Sequence, residues 1–228
     1  MARAPRVILF DIDGTLVDCG GAGRRSMREA FAAELGAPDA LDDVRFGGMT
    51  DLGIVRVGLA KVAREMTDAI TNAILDRYLL HLQEALRGSS AYRVLTGAKE
   101  AIFAARGPDR AVGLGTGNIR EGAALKLARG GLHELFDFGG FGCDAESRDE
   151  VLRRGAERGA ERLGVGLESC EVLIVGDTPR DIEAAHAIGA ACLAVATGAS
   201  PLDELAASRP RFLVPSLDHP EAIAALSR

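Results

Sequence analysis

The sequence predicts an α/β fold: a parallel sheet with helices on both faces and a helical insertion after the first strand. Short apolar runs alternate with segments of helical period, the pattern that builds such sheets. Residues 17–93 break the alternation, because they hold no convincing strand and read as helices. At 228 residues and 47% hydrophobic content, the chain can bury a substantial core, as one large domain or as a domain carrying an insertion.

The first strand is the apolar run Arg6–Phe10, which ends abruptly at Asp11-Ile12-Asp13-Gly14-Thr15. In the stretch that follows, residues 24–35 align Met27, Phe31 and Leu35 on one helical face, and residues 54–61 look helical. Residues 68–87 align Ile70, Ile74, Tyr78, Leu82 and Leu86, with Thr67 and Gly88 as caps. Further strands are expected at 111–115, 172–175, 191–196 and 211–214; residues 136–141 form a weaker candidate because of their glycines. A helical insert placed just after the first strand's carboxyl end is positioned to cover that end. The expected division is therefore a core domain of 1–16 and 94–228 with a helical cap domain of 17–93.

Net charge of −6 and a pI of about 5.3 provide no basic field for nucleic acid or an anionic membrane, so neither is expected as a partner. Cys19, Cys143, Cys170 and Cys192 are scattered without a Cys-x-x-Cys pair, which argues against a zinc site or a disulfide framework. Reduced thiols fit a cytoplasmic protein. The four apolar residues before Asp11 are too few for a signal peptide, and no segment approaches the roughly 20 apolar residues of a membrane span.

Two aspartates at i and i+2 on the end of a buried strand sit where open α/β sheets bind ligands, and Gly14 lets the chain swing away behind them. Four fixed residue types arise by chance in roughly one protein of this length per thousand, and a solvated turn would use the same residues. A calcium loop fails, since Thr15 and Leu16 stand where it needs an acid and a glycine. At the second clear strand, Gly113-Leu-Gly115-Thr116-Gly117-Asn118 lacks the dinucleotide fingerprint, because Asn118 and Arg120 occupy the required glycine positions. A hydroxyl and a flexible turn with backbone N–H groups remain, suited to phosphate oxygens, though a plain strand-to-helix turn reads equally well. At the third, Thr178, Pro179 and Asp181 suit a capped helix start, which leaves Asp177 unexplained.

Asp11-Ile12-Asp13-Gly14-Thr15, Thr116, and Gly176-Asp177 with Asp181, in that order and with the insertion after the first strand, resemble the motifs of the haloacid dehalogenase-like (HAD) superfamily. The resemblance spans the whole chain and is to phosphoglycolate phosphatase-like members with a helical C1-type cap on a Rossmann-like core. It implies a phosphatase acting on a small phosphorylated metabolite, as a monomer or homodimer. It also implies Mg²⁺ held by Asp11, the backbone carbonyl of Asp13, Asp177 and waters. Asp11 would be the nucleophile that forms an aspartyl-phosphate, and Asp13 the acid–base. Thr116, Gly117 and Asn118 would grip the phosphoryl group, and Asp181 would orient a metal-bound water or a cation.

The family also places a cation between its second and fourth motifs, often a lysine. The chain's lysines are Lys61, Lys99 and Lys126, none of them in that interval. The interval offers Ser147-Arg148-Asp149-Glu150, read as a capping box with Arg148 in the first helical turn. A cation there opposes the helix dipole unless an anion compensates it. Arg148 therefore takes the cation role and Arg153 is the reserve, against the alternative of a solvated helix arginine.

Asp13 argues against dehalogenases, which lack it because halide departure needs no proton. A sugar phosphomutase of the β-phosphoglucomutase kind shares the aspartate pair and is the nearest alternative. A non-enzymatic, response-regulator-like phosphate module is the alternative of another class. Substrate specificity is expected in the cap, with Arg24 and Thr50, in glycine-rich loops, as candidates.

Overall fold

The computed structural model describes residues 4–228, so the first three positions of the expected 1–16 segment lie outside the described residues. In chain order the elements are β1 (Arg6–Phe10), β2 (Val17–Asp18), α1 (Ala22–Leu35), α2 (Asp51–Lys61), α3 (Asp68–Gly88), β3 (Arg93–Val94), α4 (Ala98–Ala105), β4 (Arg110–Gly115) and α5 (Arg120–Arg129). They continue as β5 (Gly139–Gly140), α6 (Arg148–Arg162), β6 (Glu171–Gly176), α7 (Pro179–Ala187), β7 (Ala191–Val195), α8 (Leu202–Ala207), β8 (Phe212–Val214) and α9 (Pro220–Ser227).

Six strands form one parallel sheet in the order β5-β4-β1-β6-β7-β8. β1 is central, and its Val7 through Phe10 are fully buried because both faces of the strand are covered. Val7 and Leu9 pack with Leu152, Ala156, Ile182 and Ala185 of α6 and α7. Ile8 and Phe10 belong to the opposite face, with Ile102 of α4 and Leu226 of α9. Phe10 stands opposite Leu114 of β4 and Val175 of β6. That register brings Asp11, Thr116 and Asp177 out of the sheet within one residue of the same level.

Between β2 and β3 the chain forms α1, α2 and α3. The buried stripes on α1 and α3 follow the helical period: Met27 and Phe31 on one, Ile74, Tyr78, Leu82 and Leu86 on the other. Thr67 caps α3 by accepting from the Ile70 N–H at 3.4 Å, while Gly88 is the last helical residue and Ser89 the C-cap. The sequence showed no strand in this stretch, yet β2 and β3 pair antiparallel at its two ends. Two-residue strands carry no period to detect. The same reason shortens the 136–141 candidate to Gly139–Gly140.

Gly58 sits where α2 crosses α1, and a β-carbon there would fall 2.4 Å from Phe31 Cζ and 2.9 Å from Leu41 Cδ2. Gly58→Val is expected to cost about 1–3 kcal/mol through overpacking, lowering Tm by about 2–4 °C per kcal/mol. Gly88→Ala, with nothing within 4 Å of the added carbon, should leave Tm unchanged or raise it slightly. Thermal unfolding followed by circular dichroism compares the two.

Candidate active site

Asp11 follows β1 directly, and its N–H donates to the Val175 carbonyl at 2.8 Å, which extends the sheet by one residue. The chain then turns within Asp13–Leu16, with Gly14 at φ +83° and its N–H on the Val17 carbonyl at 2.9 Å. A β-carbon on Gly14 would lie 2.3 Å from Asp177 Oδ2, so glycine lets the turn close against that carboxylate. Thr15 Oγ1 donates to Asp177 Oδ1 at 3.2 Å, joining the ends of β1 and β6.

Asp11, Asp177 and Asp181 are buried and place carboxylate oxygens within 4.8 Å of one another. Arg148, also buried, reaches into the cluster from the first turn of α6. Its Nη2 donates to Asp181 Oδ1 at 2.5 Å and to the Gly115 carbonyl at 3.2 Å, and lies 2.9 Å from Asp11 Oδ1. The dipole penalty at the helix start is answered by these two carboxylates. Asp181 has two tasks: Oδ1 holds Arg148 while Oδ2 completes the Thr178 capping box of α7. Arg148 Nε is buried without a hydrogen-bond partner, so the guanidinium has a donor to spare.

Burial lifts the Asp11 carboxyl from its ordinary 3.8 to about 6, against the pull of Arg148 and with Asp181 and Asp13 adding to the rise. Burial, then Asp181 and Asp11, push Asp177 well above its usual range. One guanidinium among three buried acids leaves negative charge uncompensated. Hard oxygen donors with surplus charge suit a hard divalent cation such as Mg²⁺. Asp11 and Asp177 are the side chains open to the cavity; Asp181 is behind them and already committed.

Asp13 turns away from the acidic trio. Its Oδ2 accepts from Asn118 Nδ2 at 2.8 Å and from Lys126 Nζ at 2.6 Å. Lys126, which sequence reasoning passed over because it lies outside the expected interval, thus reaches the site from α5. One signal marked it: it interrupts the buried face made by Ala123 and Leu127, where an apolar residue belongs. Burial works against charging Asp13, but Lys126 and Asn118 outweigh it and hold the carboxyl below its usual range. Thr116 is fully buried below the cavity wall, its Oγ1 accepting from Asn118 Nδ2 at 2.8 Å; Gly117 and Asn118 themselves line the cavity. The Ile119 N–H is taken by Asp51 Oδ2 at 2.8 Å, which removes one donor expected to face phosphate.

Several expectations need correction. The capping box at Ser147 does not form: its side chain makes no cap hydrogen bond, and Glu150 turns outward to Arg154 at 3.0 Å and Arg153 at 3.5 Å. That pairing keeps Arg153 at the surface and out of the cluster. Arg24 lines the cavity, but its guanidinium is spent on the Leu41, Asp42 and Val44 carbonyls. Thr50 is buried as the N-cap of α2, accepting from Gly53 N–H and donating to the Glu146 carbonyl at 2.6 Å, so it ties loops together and lines no cavity wall. The residue beside it matters more: Asp51 N–H donates to the Gly117 carbonyl at 2.7 Å, and its side chain caps α5.

The cavity over these groups measures about 510 Å³. Its floor is Asp11, Asp13, Asp177, Arg148, Asn118 and Lys126; Met27, Phe46, Met49, Ile54 and Tyr78 of the inserted segment close it from the other side.

Linkage fixes the sign of a pH test. A carboxyl raised from 3.8 to about 6 on folding stabilises the metal-free protein fully below 3.8, and that contribution is lost as pH rises through about 6. A divalent cation on these oxygens would compete with the protons, so any stabilisation by Mg²⁺ should be larger at pH 7.5 than at pH 5.5. At a hundredfold excess over Kd it should raise Tm by about 5–10 °C. Asp177→Asn is expected to raise Tm in metal-free buffer and abolish the Mg²⁺ response, both read by differential scanning fluorimetry.

The comparisons with known proteins agree with this geometry. The chain is 28% identical over 209 residues to a phosphoglycolate phosphatase of Rhodospirillum rubrum, covering 86% of this chain and 81% of that protein. It is 26% identical over 221 residues to the phosphoglycolate phosphatase of Synechococcus elongatus, covering 92% of each. A solved β-phosphoglucomutase from Clostridium difficile superposes with a TM-score of 0.70 at 15% identity, over 99% of this chain and 97% of that one, a likeness of fold. The model of the haloacid dehalogenase-like hydrolases matches residues 5–189, a span that holds all three strand ends and both cations of the site. The chain therefore belongs to the haloacid dehalogenase-like hydrolase family.

Proposed function

We propose that the chain is a Mg²⁺-dependent phosphatase that hydrolyses a small-molecule phosphate monoester, phosphoglycolate-like or a sugar phosphate, through an aspartyl-phosphate. One observation carries the reading. Asp11, buried against Arg148, and Asp13, held separately by Lys126 and Asn118, present two carboxylates in opposed environments at one cavity floor. Two carboxylates with separate partners at one floor allow separate roles, Asp11 as the nucleophile beside Arg148 and Asp13 as the acid–base open to the cavity.

An Asp11 oxygen attacks phosphorus as the bond from phosphorus to the ester oxygen breaks; Asp13, open to the cavity, takes up a proton from solvent and passes it to the leaving oxygen. Asp13 then takes a proton from water, whose oxygen attacks the phosphorus of the aspartyl-phosphate. Phosphate is released and the Asp11 carboxylate returns. Arg148, fixed by Asp181 and the Gly115 carbonyl beside Asp11, sets a cation against the phosphoryl oxygens. Asp11, Asp177 and the Asp13 carbonyl would hold Mg²⁺, which would supply the charge neutralisation that lets an anion attack an anion. Residues 17–93 act as a cap that dehydrates the floor, above a core of 1–16 and 94–228. The four free cysteines suit a reducing cytoplasm.

With p-nitrophenyl phosphate and Mg²⁺ the protein should release inorganic phosphate. Asp11→Asn should abolish release, and Asp13→Asn should lower kcat by about 10²–10⁴-fold. A panel of phosphoglycolate and sugar phosphates, ranked by kcat/KM, identifies the substrate. Conversion of β-glucose 1-phosphate to the 6-phosphate without phosphate release would replace the phosphatase reading with a mutase.

A further inference from the structure

Lys126 is the second cation of the site, and it does not touch the acidic trio. Its Nζ lies 2.6 Å from Asp13 Oδ2 and 2.5 Å from Asn118 Oδ1, while Asn118 Nδ2 donates to the same Asp13 oxygen at 2.8 Å and to Thr116 Oγ1 at 2.8 Å. Ammonium, carboxylate and carboxamide thus close a ring, anchored to the end of β4 through Thr116.

Exposure decides what this ring is for. The Lys126 side chain is 5% exposed and that of Asp13 is 44% exposed. Both border the cavity, but the acid is open to it while the cation is almost wholly covered by protein. A docking group for substrate would show the reverse. Tyr78 and Gly23 of the inserted helices pack over the ammonium, where a β-carbon on Gly23 would come within 3.2 Å of Nζ. Away from water a charge-assisted hydrogen bond is both stronger and more directional.

We propose that Lys126 is a positioning residue for Asp13, holding its carboxylate, together with Asn118, in one orientation open to the cavity. The role rests on Asp13 being the acid–base of the proposed reaction. Neither the family's usual cation interval nor Arg148 accounts for Lys126.

The test uses Lys126→Met, of similar length without the charge, and p-nitrophenyl phosphate. kcat should fall 10- to 100-fold while KM stays within threefold. In an Asp13→Asn background the same substitution should change the residual single-turnover rate less than threefold, because Lys126 acts through Asp13. A KM rise at unchanged kcat would make Lys126 a docking group, and an undiminished loss in the Asp13→Asn background would make it independent of Asp13; either overturns the proposal. A measurement on the wild type needs no variant to fold: reductive methylation read by mass spectrometry should modify Lys61 and Lys99, spare Lys126 and leave activity intact. Modification of Lys126 that added phosphate prevents would overturn the role as well. Wild-type protein that turns over no ester refutes the phosphatase reading together with the role, whereas wild-type turnover left unchanged by Lys126→Met refutes the role alone.

Discussion

The structure depends on negative charge gathered at the carboxyl ends of parallel strands. Asp11, Asp13, Asp177 and Asp181 converge there, and the buried cations facing them are Arg148 and Lys126. Burial makes such repulsion expensive, because low dielectric strengthens it and excludes the water that would screen it. The raised Asp11 and Asp177 carboxyls are the visible cost. Surplus negative charge on hard oxygen donors suits a divalent cation.

Compensation is divided in space, and that division differentiates the acids. Arg148 serves Asp11 and Asp181 on one side of the floor, while Lys126 and Asn118 serve Asp13 on the other. Two aspartates separated by one residue in the chain therefore differ in proton affinity, one carboxyl lifted to about 6 and the other held below its usual range. Asp181 links this electrostatics to the fold, since the carboxylate that caps α7 also fixes Arg148. Replacing it would loosen a helix start and the cation beside Asp11 together.

The inserted helices are joined to the sheet at the site itself. Asp51 N–H and side chain bind the Gly117–Ile119 loop, Thr50 binds the Glu146 carbonyl, and Arg180 of α7 donates to the Arg45 and Gly47 carbonyls. The first two ties land on the loop after β4 and the loop before α6, and the third comes from the first turn of α7, three residues beyond Asp177. Seating of the insertion and the shape of the cavity floor are thus one problem. Thr50 serves this seating, whereas Arg24 binds the Leu41, Asp42 and Val44 carbonyls within the insertion.

Much of the architecture was legible from local pattern. A five-residue apolar run stopped by Asp-x-Asp-Gly places two acids at a buried strand's end through backbone geometry alone, and the period of α1 and α3 marks their buried faces. The Thr178-Pro179-x-Asp181 start was equally readable, because capping is settled within four residues. What the chain could not announce locally were contacts between distant residues. Asp13 and Lys126 are 113 positions apart, and only the packing of α5 beside the β1 turn brings the ammonium to the carboxylate. Arg148 and Arg153 look alike in sequence, yet the turn of α6 sends one into the acidic floor and the other to solvent. The sequence by itself determined which acids stand at the strand ends; tertiary structure alone decided which cation faces each, because helix rotation and burial set that pairing.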